Sequence, residues 1–211
     1  MTETRWKQAF YDDIEPIRLR DPLAVFLGAI GENEDFIFTY ADAVKLAGHS
    51  CPAVSGAYKI TAKALKALYG NEAPSRGGIS VKVLGSIHHG ANGPISQVIS
   101  LITGAAPETG FAGLSGEFVR KDKLVFDEAN EEPNAFLFTR DDNGKSVKVT
   151  YHPERIPQKE DMSALFMKCI SRTATEKQKE KFRELWQARV KAVLFEEAKG
   201  LFTVEPLGTV C

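Results

Sequence analysis

The chain has 211 residues, 43% of them hydrophobic and 26% charged, with a formal net charge of −1. That is enough apolar material for a real core, and the near-neutral balance leaves no overall basic field to attract nucleic acid or an anionic membrane surface. Membrane insertion is not expected, because no run approaches the ~20 apolar residues of a transmembrane helix.

The first residues, "MTETRWKQAFYDDIEP", are polar and aromatic and lack the apolar stretch of a signal peptide. Cys51, Cys169 and Cys211 are an odd number at wide spacing, which argues against a disulfide framework. A reducing cytoplasm is the expected compartment.

In chain order, Trp6, Phe10, Ile14 and Ile17 recur at helical spacing and predict a helix over about 4–18. "PLAVFLGAI" (22–30) reads as a short buried strand and "GENED" as its turn. "FIFTYADAVKLAG" starts extended and becomes helical, with Gly48 placed to end the helix. From Pro52 to Tyr69 the stripe Val54, Ala57, Tyr58, Thr61, Ala64, Leu65 and Leu68 predicts a helix, closed by Gly70-Asn71.

Residues 78–87 alternate Ile79, Val81, Val83 and Ile87 on one face of a strand. After "HHGANG", Pro94 suits a first helical position, and the helix it opens ends at Gly104. "GEFVRKDKLVFD", "NAFLFTR" and "KSVKVTYH" predict three strands, the last pair joined by Asp141-Asp142-Asn143-Gly144. A proline-broken connector leads to a helix over 175–198, and "LFTVEP" could return as a strand. The fold class is α+β, a mixed β-sheet packed against helices with a helical C-terminal extension.

Chemistry concentrates at "GHSCP". Pro52 at the first helical position makes Cys51 the N-cap, where unsatisfied N–H groups and the positive end of the helix dipole favour a thiolate. His49, two residues earlier on a turn made flexible by Gly48, can turn its imidazole to the same point. His-x-Cys thus has the donors expected of one half of a metal site. His88 and His89 stand at the end of a strand in a loop of small residues, where binding groups concentrate. Strand alternation points their rings in opposite directions, so at most one readily joins His49 and Cys51. His89 is favoured if the apolar strand face packs on the 52–69 helix, and His88 if the strand kinks at Gly85.

"AGHSCPAVSGAYK" resembles the signature of the E-subunit (FmdE-like) family of formylmethanofuran dehydrogenase, His-Gly-His-x-Cys-Pro-Gly before a helix containing Gly-Tyr-Arg. The matches are Gly48, His49, Cys51, Pro52 and Tyr58, with Lys59 in place of arginine. "ISQVISLITG" is similar to the family's Gln-x-x-x-Gly helix through Gln97 and, more loosely, Gly104. The resemblance covers about 36–151, giving an N-terminal helix and strand over 1–35, an FmdE-like metal-binding core over 36–151, and a helical extension over 152–211.

The chain also departs from the pattern. Ala47, Ala53 and Ala57 replace a histidine and two glycines, no cysteine precedes the Gln97 helix, and Cys169 and Cys211 cannot form a zinc ribbon. The resemblance implies a metal at His49 and Cys51, commonly zinc, with iron, cobalt or nickel compatible with the donors, and frequent dimerisation, hence a homodimer. His88 or His89 as a replacement for the missing cysteine is an inference from the residues. Tyr58, Lys59, Asn92 and Gln97 are candidates to surround the ligands.

Three functions are expected from this set. The first is a metal-binding protein with an open position for a small ligand. The second is a non-catalytic accessory subunit or metal carrier of a molybdenum or tungsten redox enzyme, its C-terminal helical stripe docking to the partner. The third is metal-free chemistry with Cys51 as nucleophile and His49 or His89 as base. Asp12-Asp13 and "DEANEEP" read as solvated surface, Cys169 as packed and His152 as a loop residue.

Overall fold

Pro52 starts a helix, Gly70 stops it, and the other elements gather around it. The computed structural model describes residues 4–157 and 161–209. A small antiparallel pair, β1 (Ile17–Leu19) and β2 (Phe36–Phe38), flanks the short α1 (Pro22–Phe26). Next come α2 (Tyr40–Ala47), the central α3 (Pro52–Tyr69), β3 (Ile79–Val83) and α4 (Asn92–Thr103). The remaining strands are β4 (Leu124–Phe126), β5 (Ala135–Arg140), β6 (Lys145–Tyr151) and β7 (Phe202–Thr209), with α5 (Asp161–Ile170) and α6 (Glu176–Leu194) inserted before β7. The main sheet has the order β4-β3-β5-β6-β7. Only β3 and β4 pair in parallel, so the sheet is mixed and the α+β class holds.

One face of α3 meets the sheet and others meet α4 and α6. Gly56 is required there: a Cβ would lie 2.5 Å from the Tyr151 ring. One core includes Tyr11 and Leu19 before the central segment and Val193 and Leu201 after it, so residues on either side of 36–151 complete its packing. Met162, Leu165 and Leu185 form a smaller cluster between α5 and α6. Thr175 caps α6, its hydroxyl accepting the Gln178 N–H while Gln178 Oε1 accepts the Thr175 N–H at 2.9 Å.

Several elements differ from the sequence expectation. Residues 4–18 form only a 3-10 turn (Ala9–Tyr11) before β1, because Pro16 holds the preceding residue extended. Trp6, Phe10 and Ile14 reach the core without a helix. The expected strand at 22–30 is instead α1. Asp21 Oδ1 accepts the N–H groups of Leu23 and Ala24, Pro22 starts the helix, and Gly28 at φ 72° stops it.

The "GEFV" strand is absent because Ser115, Gly116 and Phe118 all take positive φ and the chain loops. Pro94 is the third residue of α4, which starts at Asn92. β3 ends at Val83, so its alternation does not extend to His88 and His89. The C-terminal part is not purely helical, since β7 pairs with β6 as "LFTVEP" suggests. Cys211 lies outside the described residues.

Candidate functional site

The turn between α2 and α3 is fixed from three directions. α2 ends at Gly48 in the left-handed conformation, φ 71°. The Ser50 hydroxyl meets the Tyr40 hydroxyl at 2.6 Å in the core, and Trp186 Nε1 of α6 donates to the Ser50 carbonyl at 2.8 Å. The Tyr151 hydroxyl of β6 donates to the Pro52 carbonyl at 3.0 Å. Ser50 is turned inward, His49 is exposed, and Cys51 is half-buried with one side packed against the core. Cys51 is the N-cap of α3, with extended backbone, but its thiol does not cap the helix.

His49 Nδ1 lies 2.9 Å from the Ala47 carbonyl. A carbonyl can only accept, so Nδ1 carries the proton, and in the neutral ring Nε2 keeps its lone pair. That is the arrangement a metal-binding imidazole uses. Burial pushes the Tyr40 and Tyr151 hydroxyls well above the ordinary tyrosine range, and a negative charge on Cys51 would raise both further. Neutral hydroxyls therefore line the inner side of the turn.

His88 and His89 are exposed on the turn between β3 and α4. Asn92, buried, holds that turn by donating from Nδ2 to the Ser86 carbonyl at 3.0 Å, and the His89 N–H donates to the same carbonyl at 3.1 Å. Leu46, in the last turn of α2, and Ile87, beside His88, line one cavity, but none of His49, Cys51, His88 and His89 does. Among the described residues no three His, Cys, Asp or Glu side chains form a group that could hold a metal ion.

This cavity is the feature that the sequence did not announce. It has a volume of about 870 Å³ and lies between α1, the α2 end, α4 and the 106–126 segment. Its polar wall is Asp21, only 2% exposed, bound by Arg76 Nη1 at 3.0 Å and Arg120 Nη2 at 2.7 Å. Burial raises the Asp21 carboxyl, but the two guanidinium groups outweigh it and hold it below the usual carboxylate range. Partners 55 and 99 positions away leave no local pattern to read.

A family model described as "FmdE, Molybdenum formylmethanofuran dehydrogenase operon" matches residues 46–203. The chain belongs to the FmdE family. Among solved structures it is similar to a tungsten formylmethanofuran dehydrogenase FmdE-like protein from Syntrophus aciditrophicus. The identity is 12% and the TM-score 0.41, over 82% of this chain and 74% of that one. No curated protein sequence matches.

Within this FmdE chain the other motif residues do not crowd the His49–Cys51 turn. The Tyr58 hydroxyl donates to the Glu15 and Phe38 carbonyls at 3.0 and 2.9 Å, tying α3 to the N-terminal segment. Lys59 pairs with Glu196 at 2.9 Å. Gln97 is exposed and faces the cavity from α4. His49 Nε2 and the Cys51 thiol are donors of the right chemistry for zinc or a similar ion, but zinc takes at least three protein ligands. One chain in this arrangement therefore supplies a partial donor set. Among the described residues no helix is long and apolar enough to cross a membrane.

Proposed function

We propose that this FmdE-family chain is a metal-binding accessory protein of a molybdenum- or tungsten-type formylmethanofuran dehydrogenase system, acting as a carrier or docking component. His49 and Cys51 are its resident donors, zinc is the first-choice ion, and one of His88 and His89 completes the protein's share. The observation that carries this reading is the pair of donors flanking a buried Ser50, with His49 exposed and anchored through Nδ1 and Cys51 half-buried at the start of α3.

The incomplete donor set favours transfer over catalysis. A catalytic zinc site keeps three protein ligands fixed and one position open. One exposed and one half-buried donor, with a third on a separate turn, suit an ion that is accepted and passed on, or completed by a partner's ligand or a second copy of the chain. The test is metal content after purification, compared among wild type, His49→Ala, Cys51→Ala, His88→Ala and His89→Ala. Loss of metal in the first two variants and in one of the last two supports the reading. Unchanged content in His49→Ala or Cys51→Ala contradicts it.

A further inference from the structure

The cavity is walled by apolar side chains, including Leu23, Leu27, Phe111 and Phe126, yet it borders two arginines and one acid. Asp21 is the sole acidic residue along its lining, against Arg76 and Arg120. Arg76 is fully occupied. Its Nη1 binds Asp21, its Nε and Nη2 donate to the Ile102 and Leu101 carbonyls at 3.1 and 2.9 Å, and its plane lies over Phe36 and Phe38.

Arg120 is not. The residue is 8% exposed, only Nη2 reaches Asp21, and Nε is buried with no hydrogen-bond partner. Its Nη1 lies against Gly104, which lines the cavity: a Cβ at Gly104 would come within 2.5 Å of it. One guanidinium charge is thus uncompensated beside a large apolar space. Leaving the remaining donors of a guanidinium without partners is costly, and a carboxylate can accept a charge-assisted hydrogen bond from Nη1 on the cavity side.

We infer that the cavity is a binding site for an apolar carboxylic acid, its carboxylate directed at Arg120 and its hydrocarbon body lying against Leu27, Phe111 and Phe126. Gly93 and Ser100 on α4 leave room along the lining because their side chains are small or absent, and Gln97 offers an amide there. The volume of about 870 Å³ is that of a small-molecule site and exceeds what a single inorganic anion needs. The site is independent of the metal donors, because neither His49 nor Cys51 lines it.

The test is calorimetric titration of the full chain with octanoate, 1-octanol and octylamine. Octanoate is expected to bind at least about tenfold more tightly than octanol, as a charge-assisted hydrogen bond implies, and octylamine most weakly. Arg120→Gln should remove the preference for the acid, and Arg120→Lys should retain part of it. Ser100→Phe, which puts a ring into the cavity from a residue that takes no part in the ion cluster's hydrogen bonds, should abolish binding while circular dichroism stays native. Should Arg120→Gln fail to fold, the ligand order and Ser100→Phe still decide. No octanoate heat, equal binding of acid and alcohol, or undiminished binding in a folded Ser100→Phe protein overturns the assignment.

Discussion

The hydroxyls of Tyr40 and Ser50 meet at 2.6 Å beneath the turn that carries His49 and Cys51. The bond joins the first residue of α2 to the segment just beyond its end, so it fixes the path of the chain between α2 and α3. Burial holds Tyr40 neutral, so it can donate at any physiological pH. Ser50→Ala removes the 2.6 Å partner of a buried tyrosine hydroxyl. We expect it to lower unfolding free energy by about 1–3 kcal/mol in urea titrations, and to weaken metal binding although it removes no donor.

Trp186 reports on the same turn. Its Nε1 donates to the Ser50 carbonyl at 2.8 Å, and Trp6 is the second tryptophan of the chain. Adding zinc to metal-free protein is expected to change the fluorescence of wild type and of Trp6→Phe, and to leave Trp186→Phe unchanged. A response that survives in Trp186→Phe would place the ion elsewhere.

Gly56 is fixed by the Tyr151 ring, with an added Cβ 2.5 Å from it. The ring cannot retreat without releasing the Pro52 carbonyl. Gly56→Ala should therefore destabilise the fold by about 1–3 kcal/mol, the cost of overpacking, despite alanine's better helix propensity. Thermal melting checks it.

Asp21 gives the acid limb of stability. Its carboxyl is lower in the fold than in the unfolded chain, because Arg120 and Arg76 outweigh the effect of burial. The stabilisation is complete above the unfolded value near ~3.9 and is lost as pH falls toward the folded value. Asp21→Asn should flatten that part of the stability–pH curve. It should also destabilise at neutral pH by about 3–5 kcal/mol, since it leaves two arginines facing one another without their shared partner.

The middle of the chain is legible because its signals are local. Pro52 and Gly70 bound α3, Gly48 takes the left-handed cap, and β5 and β6 lie where alternation puts them. The first 35 residues mislead, although "DP" at 21–22 carries the same cap-then-proline signal as "CP" at 51–52. Apolar density in 22–30 suggests a strand, but Phe26 and Leu27 are exposed beside the cavity or on the surface rather than buried in a sheet. The expected directions of His88 and His89 rest on a strand that stops at Val83. The Asp21–Arg76–Arg120 cluster has no sequence signal, since it depends on three segments meeting in the folded chain.

Cobalt titration of the metal-free protein, followed through the thiolate-to-cobalt absorption band, tests the metal proposal most directly. Cys51 makes no cap bond, so Cys51→Ala should keep the fold. The account predicts a saturable band in wild type, no band in Cys51→Ala, and a weakened, shifted band in His49→Ala. A wild-type protein with no band, or a Cys51→Ala protein that binds cobalt with unaltered affinity, would contradict it.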